Sequence, residues 1–238
     1  MKAMIFAAGL GTRLYPITKD KPKALAPFLN ETLLSYNLKN LAKQGISEFV
    51  INTHHFAHKI EEYLSENNNF GLEIKLSYEE ELLDTAGGLA FAANLLENTD
   101  DILLYNVDVV SNIDIMKMYN IHKENNNFAT LAVRNRKTSR YLLFDNDDKL
   151  IGWRNINNGD EIWCNEKAEN AQEFAFSGVH WVNKAILKQL EVKKQSIVPF
   201  YLEKGKDNSI MAYQHDENYW FDCGKNESLK QAEKGILQ

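Results

Sequence analysis

The sequence predicts an α/β protein, with a mixed, mostly parallel central sheet flanked by helices and a small antiparallel extension. Three observations carry that expectation. Short apolar runs alternate with amphipathic helical stripes through the first half of the chain, the pattern of parallel strands joined by helical crossovers. The glycine-bearing stretch "GLGTR" follows the first apolar run directly, where an open parallel sheet places its ligand. The second half changes to apolar segments joined by polar turns such as "DNDDK", which read as antiparallel strands.

Residues 4–8 form the first buried strand. Leu34, Leu38, Leu41 and Ala42 fall at i, i+4, i+7 and i+8, one helix face that Gly45 ends. A second strand over 49–51 precedes another helical stripe, Phe56, Ile60, Tyr63 and Leu64. Leu72, Ile74, Leu76 and Tyr78 alternate as a strand, 89–96 is a helix, and 102–107 is a further buried strand. Ile115, Met118, Tyr119 and His122 mark one more helix, followed by strands over 128–133, 141–144, 174–182 and 210–213. The polar stretch 154–172, which contains Gly159, reads as an insertion or flap. A closing helix over 226–238 has Asn226 or Ser228 as its cap. Without an internal repeat or low-complexity linker, one domain over 1–238 is expected.

Composition narrows the function. The 238 residues are 44% hydrophobic and 25% charged, enough for one substantial core. A net charge of −6 argues against a general nucleic-acid binder, which must neutralise a run of phosphates. No stretch approaches the roughly 20 apolar residues of a membrane span, and Arg13 interrupts the apolar start too early for a secretory segment. Cys164 and Cys223 lack metal-ligand spacing and fit a reducing cytosol. A soluble, cytoplasmic protein is expected.

Two familiar phosphate loops fail at the glycine stretch. The dinucleotide fingerprint needs glycine where Leu14 stands, and the P-loop needs Gly-Lys where Leu14 and Tyr15 stand. What remains is either a loop whose N–H groups approach an anion, with Arg13 and Lys23 as charge partners, or a plain turn with solvated cations. Pro16, Pro22 and Pro27 stiffen the segment and favour the first. Asp108 and Asp222 each end an apolar run, a position that suits a turn former, a helix cap or a metal ligand. His54, His55 and His58 lack a third ligand nearby in sequence and read as a helix start at the rim. Arg134, Arg136 and Arg140 form either an anion patch or, as the favoured reading, a solvated sheet edge.

The run "AAGLGTRLYPITKDKPKALAP" resembles the G-x-G-T-R-L and P-K-x-L-x-P signature of sugar-1-phosphate nucleotidyltransferases, the nucleotide-sugar pyrophosphorylases. "LLDTAGGL", "NVDV", "FSGVH" and "WFDCG" follow in the family's order, so the resemblance covers nearly the whole chain. It implies a Rossmann-like GT-A type fold, with a nucleotide half over about 1–110 and a sugar-phosphate half over about 111–238. It implies an NTP and a sugar 1-phosphate as partners, Mg²⁺ as cofactor, and a monomer or small homo-oligomer. Asp108 and Asp222 are the implied metal ligands, and Arg13 and Lys23 complete the catalytic set. Ala8, Gly9, Gly11, Thr12, Arg13 and Lys23 are implied for the nucleotide. So are Glu79, Thr85, Ala86, Gly87 and Gly88, with Glu79 the acceptor for the base. A carboxylate only accepts, which suits the ring N–H of uracil or guanine and favours UTP or GTP. Asn106, Ser177 and Gly178 match positions that face the sugar phosphate.

The compact pattern looks most like N-acetylmuramic acid 1-phosphate uridylyltransferases and short mannose-1-phosphate guanylyltransferases. A non-catalytic nucleotide-sugar-binding regulatory subunit is the alternative of another class. Three departures stand out. Val107 and Cys223 replace residues of the family pattern, Lys225 stands where a threonine is common, and the E-E-K-P sugar motif is absent, with Gly152, Trp153 and Arg154 in that region.

Overall fold

The computed structural model describes residues 1–237. Its sheet is built around strand β1 (Lys2–Phe6), an unbroken buried run of the kind that a parallel strand covered on both faces requires. The hairpin pair β2 (Pro27–Phe28) and β3 (Glu31–Thr32) stands apart from that sheet. Strands β4 (Glu48–Thr53), β5 (Glu73–Tyr78) and β6 (Asp101–Asn106) continue it in parallel, in the order β6-β1-β4-β5. The ribbon strand β7 (Val109–Ser111) follows β6 after a two-residue turn.

The second half supplies β8 (Ala129–Arg134), β9 (Arg140–Phe144), β10 (Leu150–Asn155), β11 (Glu161–Trp163), β12 (Gln172–Asn183), β13 (Ile210–Gln214) and β14 (Trp220–Asp222). The long β12 joins the halves: it runs antiparallel to β6 through Val179–Asn183 and to β9 through Gln172–Phe174. β8 pairs with β12 and carries β13, while β10 and β11 extend the sheet beyond β9. The sheet is therefore parallel at its centre and antiparallel at one side.

Period-two alternation puts the two faces of β1 into different cores. Met4 and Phe6 join residues from helices α3 (Asp84–Phe91) and α6 (Ile197–Lys204). Ala3 and Ile5 join residues from α1 (Leu33–Lys43), α2 (Ala57–Glu66) and α5 (Ile115–Glu124). Leu34, Leu38 and Leu41 of α1 are fully buried, each side chain stabilising the fold by about 1.5–3 kcal/mol. Thr32 and Ser35 start this helix with a reciprocal capping box, and Gly45, at φ 97°, lies just beyond its end. A third core, with Leu14, Phe28, Val110, Cys223 and Leu229, lies under the glycine loop and α7 (Asn226–Leu237).

The structure departs from the sequence-based expectation at four places. The helix expected over 89–96 begins earlier, at Asp84, taking Gly87 and Gly88 into its interior, and breaks at Ala92, giving α3 and the short α4 (Ala93–Leu96). The first part of the stretch 154–172 is a hairpin arm rather than a flap: β10 pairs with β11, and Arg154 bridges Glu161 of β11 and Glu173 of β12. Helix α6 was not anticipated. Asn226 does not cap α7; it is the first helical residue, and its amide donates to Tyr15 O at 2.8 Å. No helix among the described residues is long and apolar enough to cross a membrane.

Candidate active site

The carboxyl ends of β1, β4 and β6 share one rim, and the glycine loop crosses it. Ala7 N donates to Asn52 Oδ1 at 2.7 Å, fixing the loop's start to the end of β4. Gly11 takes φ 66°, a left-handed turn that a side chain disfavours, and Thr18 Oγ1 locks it by donating to Gly11 O at 2.7 Å. The turn launches a short 3-10 helix over Thr12–Leu14, which buries Leu14 and leaves Arg13 exposed at the rim. Lys23 opens a second such turn and sends its ammonium to Asp108 Oδ2 at 2.7 Å.

Asp108 is delivered by the turn that follows β6. Asn37 Nδ2 donates to Val107 O at 2.9 Å, and the buried Val107 side chain anchors the turn. From the far end of the chain, β14 runs antiparallel to β7 with Asp222 opposite Val109. Cys223 N then donates to Asp108 O at 2.7 Å, clamping the two aspartates' segments together. A methyl-sized point beside Gly224 lies 2.7 Å from Arg13 Nη2, 2.8 Å from Asp222 Oδ1 and 3.0 Å from Asp108 Oδ2. Two carboxylates and two cations thus gather from four separate segments.

Two hard oxygen donors on one rim suit Mg²⁺, which keeps waters and takes substrate phosphate oxygens for the rest of its shell. Among the described residues no group of three or more His, Cys, Asp or Glu side chains is placed to hold a metal. An ion held here therefore completes its coordination from water or substrate.

Two cavities open beside Asp108. The larger, about 340 Å³, is walled by Ala8, Gly9, Lys23, Asn52, Thr85 and Lys194. The smaller, about 190 Å³, is walled by Arg13, Arg136, Ser177, Gly178, Trp220 and Asp222. Asn106 and Asp108 line both. The smaller one is shaped by an irregularity in β12, whose register against β8 shifts between Phe176 and His180. Such a bulge re-aims side chains. Gly178, at φ 72°, lets the Asn106 amide lie against it, and Ser177 Oγ meets His215 Nε2 at 2.7 Å. Burial, followed by the charge of Arg134, pushes the His215 imidazole down to about 4, so it is neutral at physiological pH.

Several expected nucleotide residues are engaged elsewhere. Glu79 is 1% exposed; its carboxylate accepts from Asn52 Nδ2 at 2.7 Å and from Leu83 N at 3.0 Å, so it braces the rim instead of facing the cavity. Ala86 N and Gly87 N both donate to Gln195 O, and Gly88 packs against Glu79 and Asn52. Of that stretch only Thr85 reaches the cavity, beside Asp84. Gly11 and Thr12 shape the loop without lining either cavity. His54 bonds Glu79 O through Nδ1 at 2.9 Å, a structural link at the end of β4.

Asn52 and Lys194 were missed because nothing in their local sequence distinguishes them from an ordinary strand residue and an exposed lysine. Arg136 does not fit the solvated-edge reading. Its guanidinium sits 4.6 Å from the Trp220 ring centre and donates to Phe176 O at 3.1 Å.

The family profile described as nucleotidyl transferase matches residues 2–238. The chain belongs to the nucleotidyl transferase family. Among curated relatives, this nucleotidyl transferase chain is 26% identical over 231 residues to the mannose-1-phosphate guanylyltransferase catalytic subunit beta of Xenopus tropicalis, covering 94% of this chain and 61% of that protein. It is 28% identical over 229 residues to the mannose-1-phosphate guanyltransferase of Gibberella zeae, with coverage of 94% and 61%. The chain thus spans 61% of the length of these curated relatives.

Among solved structures, HddC from Yersinia pseudotuberculosis complexed with GMP-PN superposes with a TM-score of 0.79 at 20% identity, covering 99% of each chain. A UDP-glucose pyrophosphorylase complexed with UDP-glucose gives 0.78 at 17% identity, covering 99% of this chain and 98% of that one. These likenesses establish the α/β fold with a parallel core that this nucleotidyl transferase shares with them.

Proposed function

We propose that the chain transfers a nucleotidyl group from an NTP to a sugar 1-phosphate, releasing pyrophosphate, with Mg²⁺ held by Asp108 and Asp222. The observation that carries this reading is the shared wall: Asn106 and Asp108 belong to both cavities, so two phosphate-bearing ligands can meet at one point. In the reaction, an oxygen of the acceptor's phosphate bonds to the α-phosphorus. The bond from that phosphorus to the bridging oxygen breaks, and its electron pair leaves with pyrophosphate. No protein nucleophile is required, so positioning and charge neutralisation dominate.

The residues divide that work. The loop at Ala8 and Gly9 gives the phosphate chain an approach with little side-chain bulk, and Arg13 and Lys23 offset the charge that grows on the leaving pyrophosphate. Ser177 and Asn106 orient the acceptor. Bound Mg²⁺ supplies further neutralisation and alignment of the phosphate oxygens. With both oxygens of Glu79 engaged, the exposed Asp84 carboxylate in the larger cavity, whose Oδ1 accepts from Thr85 N at 2.7 Å, offers its Oδ2 to a base.

UTP with N-acetylmuramic acid 1-phosphate is the donor and acceptor pair favoured by the motif pattern. GTP with mannose 1-phosphate is the pair favoured by the curated relatives' names. The test is a matrix of NTPs against sugar 1-phosphates with Mg²⁺, reading pyrophosphate release. Turnover by at least one pair is expected. Silence across the matrix, with tight nucleotide-sugar binding, would instead mark a regulatory binder.

A further inference from the structure

Lys225 stands between two residues that are fixed to the reacting rim. On one side, a methyl on Gly224 would touch the ends of Arg13, Asp222 and Asp108. On the other, Asn226 donates from Nδ2 to Tyr15 O at 2.8 Å, which ties it to the glycine loop just beyond Arg13. Consecutive Cα atoms are about 3.8 Å apart, so the backbone of Lys225 runs along the rim. Its flexible four-carbon stem spans the remaining gap to the phosphate side.

Ordinary helix chemistry disfavours a lysine at this place. Lys225 O accepts from Leu229 N at 3.0 Å, so Lys225 is the cap of α7, whose first residue is Asn226. A cap ordinarily offers a side-chain oxygen to the N–H groups of the first turn, and an ammonium has none. It also adds positive charge at the positive end of the helix dipole. Lys225 is exposed and belongs to none of the ion pairs among the described residues. Lys23, by contrast, is paired with Asp108. A local rule broken without a compensating partner is expected at a functional position. The chain thus keeps an uncommitted cation one residue away from the point where Arg13 and the two aspartates gather.

We infer that Lys225 binds the pyrophosphate portion of the NTP and holds it as it leaves. When the acceptor's phosphate oxygen bonds to the α-phosphorus, the bond from that phosphorus to the bridging oxygen breaks, and its electron pair goes to pyrophosphate. The Lys225 ammonium offsets the added charge from the side of the glycine loop, with no proton transferred. This inference rests on the proposed nucleotidyl transfer and adds a residue that sets how tightly the leaving anion is held.

The test uses the whole chain, with Lys225→Gln and Lys225→Arg. Calorimetric titration with inorganic pyrophosphate and Mg²⁺ reads binding without turnover. Steady-state kinetics read product inhibition by pyrophosphate beside KM for N-acetylmuramic acid 1-phosphate and mannose 1-phosphate. Lys225→Gln should weaken pyrophosphate by about 5- to 20-fold in both measurements, the low end for a charged hydrogen bond because the side chain is exposed, with acceptor KM within about twofold. Lys225→Arg keeps the charge and should stay within about threefold of wild type. The melting temperature of Lys225→Gln should equal or exceed that of wild type, because a cation leaves the helix start. Where Lys225→Gln fails to fold by circular dichroism, Lys225→Thr, which supplies the cap oxygen, carries the same test.

Unchanged pyrophosphate affinity in the folded variant, or pyrophosphate affinity falling together with a rise in acceptor KM, overturns the assignment while leaving the transfer reaction standing. A wild type that binds pyrophosphate through Lys225 yet turns over no pair of NTP and sugar 1-phosphate overturns the transfer reaction alone. A wild type that binds no pyrophosphate and turns over no pair overturns both.

Discussion

Lys23 Nζ lies 2.7 Å from Asp108 Oδ2, so the loop that carries one cation is tied directly to the carboxylate that ends β6. Both side chains are largely shielded from solvent, at 15% and 11% exposure. The pair therefore has a structural role as well as a proposed catalytic one, and the two separate by substitution. Lys23→Met leaves Asp108 without its partner and should cost about 1–3 kcal/mol in urea unfolding. Turnover should fall by about 10²- to 10³-fold, the usual scale for losing one preorganised electrostatic partner. Lys23→Arg keeps the charge and should restore most of the stability but less of the rate. A Lys23→Met variant with wild-type kcat would remove Lys23 from the chemistry.

The two aspartates differ in their surroundings, which gives each replacement its own signature. Asp108 is buried and paired, whereas Asp222 is exposed and accepts Gly224 N at 2.9 Å. Each of Asp108→Asn and Asp222→Asn should lower kcat by at least about 10²-fold. Only Asp108→Asn should also lower the melting temperature, because it breaks the Lys23 pair. Both should move the Mg²⁺ concentration for half-maximal rate upward, read by titration at saturating NTP. An unshifted Mg²⁺ titration in both variants would rule out the metal role.

Acid should destabilise the fold in two separate windows. Burial holds His180 down to about 3, and burial with Arg134 holds His215 down to about 4. The unfolded chain takes up those protons first, near 6.5, so stability is full above that value and declines as pH falls toward 4. Asp101 acts lower. Burial alone pushes its carboxyl up, but the His122 ring, 3.3 Å away through Nε2, and the Lys123 ammonium, 2.9 Å away, outweigh burial and hold it below its ordinary 3.8. Its stabilisation is complete above that ordinary value and is lost as pH falls through the folded one. Unfolding free energies measured from pH 7 to 4.5 should decline in wild type and less steeply in His215→Gln. A parallel decline in both would exclude His215 as a source.

The parallel half of the fold was legible because β1, β4 and β6 are buried on both faces and each reads as an apolar run. Asp108 follows such a run at the end of β6, whereas Asp222 ends β14, a three-residue strand that is only partly buried, so its place beside Asp108 comes from the pairing of β14 with β7. The places of Glu79, Gly87 and Gly88 were not legible. Their surroundings come from elsewhere in the chain: Asn52 from β4, and the segment around Lys193 and Gln195, whose carbonyls press on α3. Helix α6 carries Pro199 and buries Ile197, Phe200, Tyr201 and Leu202, too broad an apolar surface to show a helical stripe. Arg136 could not be told from Arg134 and Arg140, because its burial depends on Trp220 and on the irregularity in β12.

Gly224 permits the most direct check on where the charges gather. Its φ lies outside the left-handed region, so alanine suits the backbone, and the atoms its methyl would meet are the ends of Arg13, Asp222 and Asp108. Those ends can swing aside at small cost to the fold, so Gly224→Ala should change stability by less than about 1 kcal/mol. Turnover is another matter, because a displacement near 1 Å at a reacting centre can cost about 10²-fold. Gly87→Ala supplies the opposite case: its methyl would overlap the Lys193 carbonyl, which is backbone and cannot swing away. That variant should lose stability, whereas Gly224→Ala should lose rate and keep its melting temperature. Wild-type pyrophosphate release by a folded Gly224→Ala would mean that the point beside Gly224 is not where the phosphates meet.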